Sequence, residues 1–333
     1  MKRFDVYGIG NALVDLQMRA SDEDLASLGL EKGGMQLVGE AEQATILQHL
    51  GGRDVVKSSG GSAANSMIAI AQLGGRAAYG CIVSDDDLGA HYQKEMAELG
   101  VVLHNSGKVG APTGSSLILI TPDAERTMNT HLGITAEFAP EDVNDEFIAD
   151  AEWLYVEGYL LSSEVGQQAV RHAVNVAQRS GTKIAVAVSA AFIVDAFGGP
   201  LKECVAVSDL VFANRDEATR FSGCDDEQRA FDSLKAKVPG VVMTLGERGA
   251  LIHFGGASTL VEPFPAIATD DTGAGDMFAG AFLYGLTHGL TPHDAGRLAC
   301  FLSSKVVSQL GARLRTDVVG LAAGAGFAIP KVR

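Results

Sequence analysis

Asp270-Asp271-Thr272-Gly273-Ala274-Gly275-Asp276 runs directly into Met277-Phe278-Ala279-Gly280-Ala281-Phe282. A glycine-rich turn thus feeds an apolar segment of helical spacing. The first N–H groups of a helix lack intrahelical acceptors, and the helix dipole puts partial positive charge there, so this junction is a ready anion site. Gly273 and Gly275 let a phosphate approach the backbone. Asp276 falls in the first turn, beside that anion. A carboxylate does not bind phosphate; its expected task is to take the proton from a hydroxyl attacking it. A plain N-terminal cap would leave the same short pattern, so the reading depends on what the rest of the chain adds.

Ser58-Ser59-Gly60-Gly61-Ser62-Ala63-Ala64-Asn65-Ser66 repeats the arrangement far upstream. Residues 54–57 read as a strand leading into it, and Met67, Ile70, Ala71 and Leu73 continue with helical spacing. Small residues here admit a ligand or a neighbouring element, and Asn65 can both donate and accept hydrogen bonds. Close packing of a small-residue helix is the alternative. Further upstream, Phe4-Asp5-Val6-Tyr7-Gly8-Ile9-Gly10 reads as a buried strand. Its Gly-x-Gly suggests a dinucleotide site and a nicotinamide-dependent oxidoreductase. Leu13 stands where the third glycine belongs, however, and no clean helix follows. The other use of such a strand end is a substrate site at the carboxyl edge of a parallel sheet, with Asn11 and Asp15 available to sugar hydroxyls. Asp15 as a turn residue is the bland reading.

Composition narrows the classes. The chain of 333 residues is 47% hydrophobic, enough for one large α/β domain or two smaller ones. A net charge of −15 without any Lys/Arg cluster argues against nucleic-acid binding. Four scattered cysteines, Cys81, Cys204, Cys224 and Cys300, suit a reduced cytoplasmic protein better than a disulfide framework or a zinc site. The start of the chain enters a strand without a signal-peptide pattern, and residues 318–330 are too short and glycine-rich to span a membrane. The acidic run Asp85-Asp86-Asp87 is expected to cap a helix in solvent, not to hold a metal. No P-loop, H-E-x-x-H, paired C-x-x-C or G-x-S-x-G occurs.

From Trp153 onward apolar strands alternate with helices, at 153–156, 165–179, 184–188, 210–213 and 240–245, and the last strong helices are expected at 274–286 and 292–310. That pattern argues for an α/β fold with a mostly parallel sheet covered on both faces. Residues 16–40 show no strong helical periodicity. Residues 113–121 and 125–129 read as a hairpin. With a short strand near 35–38 it would form a small sheet over the substrate site. Arg126 on that hairpin could reach a phosphate or a substrate oxygen, although an exposed arginine is the default.

With both glycine clusters in view, the sequence resembles the ribokinase-like (PfkB) family of carbohydrate and nucleoside kinases, and within it the adenosine-kinase branch. Gly60-Gly61-Ser62-Ala63-Ala64-Asn65 is similar to the family's N-terminal signature, and 270–276 to its C-terminal D-T-x-G-A-G-D signature. Residues 10–15, Glu157-Gly158-Tyr159-Leu160 and Asn214-x-x-Glu217 also fit, so that the likeness runs over about residues 4–313. The resemblance implies a single ribokinase-like three-layer α/β/α domain over 1–333, with a small β lid from about 16–40 and 111–130. It implies ATP-dependent phosphorylation of a nucleoside 5′-hydroxyl, adenosine to AMP. Asp276 would be the base, kept at low pKa by the helix N-terminus, and the N–H groups of Gly273, Ala274, Gly275 and Asp276 the anion hole. Arg126 would help balance charge. Asn11, Asp15, Gly61, Ser62 and Asn65 would bind the substrate; Asn214, Thr244, Gly246 and Gly249 would lie along ATP. Glu217 would organise Mg²⁺ through water, and a K⁺ ion is expected near Ser308 and Gly311. A monomer or homodimer is expected. A sugar kinase of ribose or fructose type, or a silent nucleotide-binding regulator on the same fold, are the alternatives. One departure stands out: Asp271 occupies the usual Thr position of the signature. A carboxylate there is costly near phosphates unless it points outward or meets a cation.

Overall fold

The computed structural model describes residues 2–123 and 125–330. Its strands are β1 Phe4–Ile9, β2 Leu13–Arg19, β3 Met35–Leu37, β4 Val56–Gly60, β5 Ala77–Cys81, β6 Val102–Asn105, β7 Ser115–Ile120, β8 Arg126–His131, β9 Ala151–Glu157, β10 Lys183–Ala187, β11 Leu210–Asn214, β12 Val241–Thr244, β13 Ala250–Phe254 and β14 Ala257–Val261. Its helices are α1 Asp22–Leu28, α2 Glu40–His49, α3 Ser62–Gln72, α4 Asp87–Glu98, α5 Asp145–Ala149, α6 Glu164–Ser180, α7 Ala191–Ala206, α8 Arg215–Ser222, α9 Glu227–Lys235, α10 Ala274–Thr287, α11 Pro292–Val306 and α12 Val318–Gly324.

The large sheet has nine strands in the order β14-β13-β12-β11-β10-β9-β1-β5-β6. From β12 to β6 every pairing is parallel, and β13 and β14 add an antiparallel edge. Side chains alternate between the two faces. Val6, Tyr155 and Phe212 pack with Met67, Phe278 and Phe282 of α3 and α10. Tyr7, Leu154 and Val186 pack on the other side with Ala173, Leu201 and Phe221 of α6, α7 and α8. Strands buried on both faces lose the polar alternation of a half-exposed sheet, which is why they read as apolar runs. The result is the expected three-layer α/β/α domain.

The second sheet has five strands in the order β3-β8-β7-β2-β4. The hairpin is present as β7 and β8, paired antiparallel with Ser116 opposite Thr130. This lid sheet starts at Leu13, not near residue 16, and takes in β4, which lies outside the two expected segments. The strand expected at 54–57 is shifted to Val56–Gly60, because pairing with β2 sets its register, Gly60 opposite Leu13. Residues 16–40 also hold a helix that periodicity did not reveal, α1. Ser21 caps it and Asp24 returns the bond to the Ser21 N–H, a local signal that needs no apolar stripe. The last long helix ends at Val306, not Leu310, and the chain after it folds back onto the 269–273 loop. Asp86 does cap α4, yet it is not simply solvated: its carboxylate also accepts the Thr113 N–H and hydroxyl at 2.8 and 2.7 Å.

The α3–α10 crossing positions the site. A Cβ on Gly280 would lie 2.4 Å from the Ser66 carbonyl oxygen, so only glycine permits this approach. It brings the first turns of the two helices together at the carboxyl edge of the sheet, beneath the lid.

Candidate active site

Asp276 lies in the first turn of α10, whose N-cap, Gly273, has φ 77°. A Cβ at Gly273 would come within 2.1 Å of the Ala312 carbonyl oxygen, so both backbone angle and space demand glycine there. Gly275 is different: it is exposed, its φ is not left-handed, and a Cβ would meet nothing within 4 Å. No protein neighbour demands a glycine at this helix start, and what a side chain would fill is the open space beside the N–H groups. Of the four N–H groups expected to form the anion hole, that of Ala274 donates to the Asp271 carbonyl at 3.1 Å. The Asp271 side chain is exposed, which is the outward orientation that makes a carboxylate tolerable here.

Ser62 Oγ donates to Asp276 Oδ1 at 2.6 Å and Asn65 Nδ2 to Oδ2 at 3.0 Å. Both residues were expected to hold substrate; they line the cavity and also hold this carboxylate. Gly61 caps α3 beside them. The Asp276 residue keeps a partial opening to the cavity while protein walls in its carboxylate. Burial raises its pKa to about 6, and the Ser62 and Asn65 bonds only partly offset that. The expectation of a low pKa from the helix N-terminus is therefore corrected: desolvation outweighs the dipole.

Asn11 is buried, and its backbone N–H and side-chain Nδ2 both donate to Glu157 Oε1 at 3.2 Å. Glu157 Oε2 accepts the Ala63 N–H at 2.8 Å, which ties β9 to the start of α3. Burial raises Glu157 to about 7, against these hydrogen bonds. Glu157 lines the cavity and was given no role from sequence; a lone glutamate ending an apolar strand was the signal. Asp15, on β2, accepts no hydrogen bond among the described residues and is raised to about 6 by burial, with Arg126 and Arg313 opposing. Next to Glu157, the β10 end is stitched by Ser189, at φ 77°. Its Oγ accepts the Gly158 N–H at 2.9 Å, and its carbonyl accepts the Tyr159 hydroxyl at 3.2 Å.

These groups line a cavity of about 420 Å³, within the usual range of small-molecule sites. Leu13, Met35, Leu37, Ile118 and Met128 of the lid face it, and Tyr159 and Phe192 complete the wall with ring centroids 5.9 Å apart. A second depression shares Asn214 and Thr244 with the first and extends along Arg215, Thr219, Arg220 and Gly246. Asn214 and Glu217 form a reciprocal cap at the start of α8. Both Glu217 oxygens accept from Asn214, at 2.9 and 3.0 Å, and burial raises Glu217 to about 7. Gly249 closes the turn after β12 through Leu245, whose N–H donates to its carbonyl at 2.8 Å.

Arg126 departs from the exposed default. It is 7% exposed and its guanidinium Nη1 pairs with Asp270 Oδ2, joining β8 to the loop before α10. It is not among the residues that line the cavity. Ser308 donates to the Ser304 carbonyl at 2.8 Å, and the Gly311 N–H donates to Asp270 Oδ2 at 2.8 Å. No cluster of three His, Cys, Asp or Glu suited to a metal occurs among the described residues, and no helix there is long and apolar enough to cross a membrane.

Residues 25–317 match the model of the pfkB family carbohydrate kinases. The structure is similar to that of a "probable sugar kinase protein" from Rhizobium etli, with a TM-score of 0.90 at 36% identity, covering 98% of this chain and 99% of that one. It is similar to adenosine kinase from Sinorhizobium meliloti, with a TM-score of 0.88 at 35% identity and coverage of 97% and 99%. Adenosine kinase 1 from Arabidopsis thaliana is 24% identical over 332 residues, covering 92% of this chain and 94% of its own.

Proposed function

The chain belongs to the pfkB family of carbohydrate kinases, and from that premise we propose that it phosphorylates the 5′-hydroxyl of a nucleoside, adenosine, at the expense of ATP. Kinases of this family transfer phosphate from ATP to an alcohol. The observation that carries the nucleoside reading is the cavity wall. Met35 and Leu37, 43% and 57% exposed, line the cavity together with Ile118, Met128 and the Tyr159–Phe192 pair. A free sugar carries hydroxyls on all sides and gains little from such a wall, whereas a flat base buries its faces there. The adenosine kinases among its relatives support the same substrate.

In this reading Asp276 takes the proton as the hydroxyl oxygen forms its bond to the γ-phosphorus and the bond to the β,γ-bridging oxygen breaks, leaving ADP. Ser62 and Asn65 hold the carboxylate in place, so its basic oxygen is aimed before substrate arrives. The open space at Gly275 admits a phosphate to the N–H groups of α10. Asp15, with no protein partner, is free to accept from ribose hydroxyls. Thr244 and Gly246 line the second depression, where the remaining ATP phosphates would lie. Glu217, a carboxylate of the first cavity held by Asn214, which both depressions share, fits a Mg²⁺ ion held mainly by phosphates and water, with Asn214 fixing its orientation. The ion would neutralise phosphate charge.

A second reading, a sugar kinase, draws on the polar floor of Asn11, Asp15 and Glu157 and on the name of the Rhizobium etli relative. ATP consumption with Mg²⁺ against adenosine, inosine, guanosine, ribose and fructose separates the two. Turnover strongest on adenosine supports the proposal, and turnover on a free sugar alone overturns it. Nucleoside binding without turnover on any acceptor would mark a regulatory protein.

A further inference from the structure

The residues beneath the anion loop do not fit the K⁺ ion expected there. Several oxygens there already have donors. The Val307 carbonyl accepts both the Thr269 and Asp270 N–H groups, at 2.7 and 3.2 Å. The Ser304 carbonyl accepts Ser308 Oγ, and the Arg313 carbonyl accepts Gln309 Nε2 at 2.7 Å. The Ala312 carbonyl is pressed against Gly273. Gly311 turns its N–H toward the Asp270 carboxylate. A K⁺ ion needs a ring of inward oxygens to replace its hydration shell, and the Asp270 carboxylate that would anchor such a ring is already taken by Gly311 and Arg126.

We propose that the guanidinium of Arg126 is the fixed cation of this loop, and that phosphoryl transfer here is therefore independent of monovalent cations. Asp270 opens the loop and is 8% exposed, so its charge requires compensation. It is fully engaged: the Thr272 N–H lies 3.0 Å from Oδ1, and Gly311 and Arg126 share Oδ2. Together these donors hold its pKa below the usual carboxylate range despite burial. A guanidinium is the side chain suited to a buried, fixed positive charge. Arg126 Nε and Nη2 are buried without hydrogen-bond partners among the described residues, so its delocalised charge is met by hydrogen bonding only through Nη1. An ion at the same carboxylate would have to displace a side chain anchored in the lid.

The proposal rests on the kinase reading for its rate arm but not for its stability arm. Turnover is measured in KCl, NaCl and tetramethylammonium chloride at equal ionic strength and fixed Mg²⁺. Rates within about threefold of one another are expected; stronger activation by K⁺ overturns the idea. The unfolding midpoint of the unliganded protein is measured in the same salts. A K⁺-specific, saturable rise, which mass action demands of a bound ion, would also overturn it. If no alcohol is phosphorylated in any salt, the kinase reading fails while this second arm still decides. R126Q is expected to lose turnover by about tenfold or more and to recover part of it with K⁺, whereas R126K stays indifferent to K⁺. R126Q as active as the parent in tetramethylammonium would count against the fixed cation. Should R126Q fail to fold, R126K decides: K⁺ dependence in that variant is the contrary result.

Discussion

Asp276 carries two opposing influences, and their balance sets its chemistry. Burial raises its pKa to about 6; the Ser62 and Asn65 donors pull it down. In the proposed role Asp276 is active when ionised, so kcat/KM should rise with pH through about 6 and then level. S62A removes a donor to the carboxylate and should move that acid limb to higher pH; an unmoved limb would assign it to another group. D276N should lower kcat by about 10²–10⁴-fold, the range of general-base contributions, with nucleoside affinity largely kept. Binding and single-turnover measurements separate the two effects. The neighbouring glycines part company in the same way. G275A adds a methyl where the protein has space, so it should leave the unfolding midpoint unchanged or raise it, by up to ~1 kcal/mol, while turnover falls because the methyl occupies the phosphate approach. G273A should instead destabilise by roughly 1–3 kcal/mol, since the left-handed φ and the Ala312 carbonyl both exclude a side chain. If both variants behaved alike, Gly275 would have no ligand-facing role.

At the scale of elements, the site is made where pieces end. α3 and α10 meet at their first turns, β9 ends in Glu157, Ser189 lies two residues beyond the end of β10, and α8 starts on the Asn214–Glu217 cap. Each end leaves backbone groups or side chains unpaired by its own element, and these converge on the cavity. Phe192, the second residue of α7, is 39% exposed and packs on Tyr159, not on the core. F192A should therefore leave stability nearly unchanged and raise KM for adenosine by about tenfold, the loss of one aromatic contact, with KM for a free sugar unaffected. Equal changes for both acceptors would separate the wall from base recognition. The capped start of α8 was legible from Asn214-x-x-Glu217, because a capping box lies wholly within one turn. The pairing of β4 with β2 was not, because register is set by a strand distant in sequence.

For the whole molecule, four carboxyls around the cavity have raised pKa values: Asp15 and Asp276 at about 6, Glu157 and Glu217 at about 7. The unfolded chain releases these protons near pH 4, the folded one later. Between those values the native state binds more protons than the unfolded state, so stability falls as pH rises from about 4 toward 7. Asp86, Glu95 and Asp270, held low, act at the other end and lose their contribution as pH drops below about 4. Denaturant unfolding of the unliganded protein should show a maximum on the acid side of neutrality, with a shallower fall in D276N. A maximum at pH 8 would contradict the raised values. The same site, emptied of ligand, is thus a place where folding stability is given up to keep charged groups together.

By itself the sequence determined the α/β class, the mostly parallel sheet, the hairpin of the lid and the two glycine-rich helix starts. These are local matters: periodicity, turn chemistry and the orphaned N–H groups of a first turn are properties of a few consecutive residues. Tertiary structure alone decided that Ser62 and Asn65 hold Asp276, that Glu157 binds Asn11 and the α3 N-terminus, and that Arg126 is buried on Asp270. It also decided the sign of the Asp276 pKa shift, which a helix dipole predicted low and burial raised. Desolvation and pairing depend on what the fold brings together from distant segments, and no window of sequence contains that information.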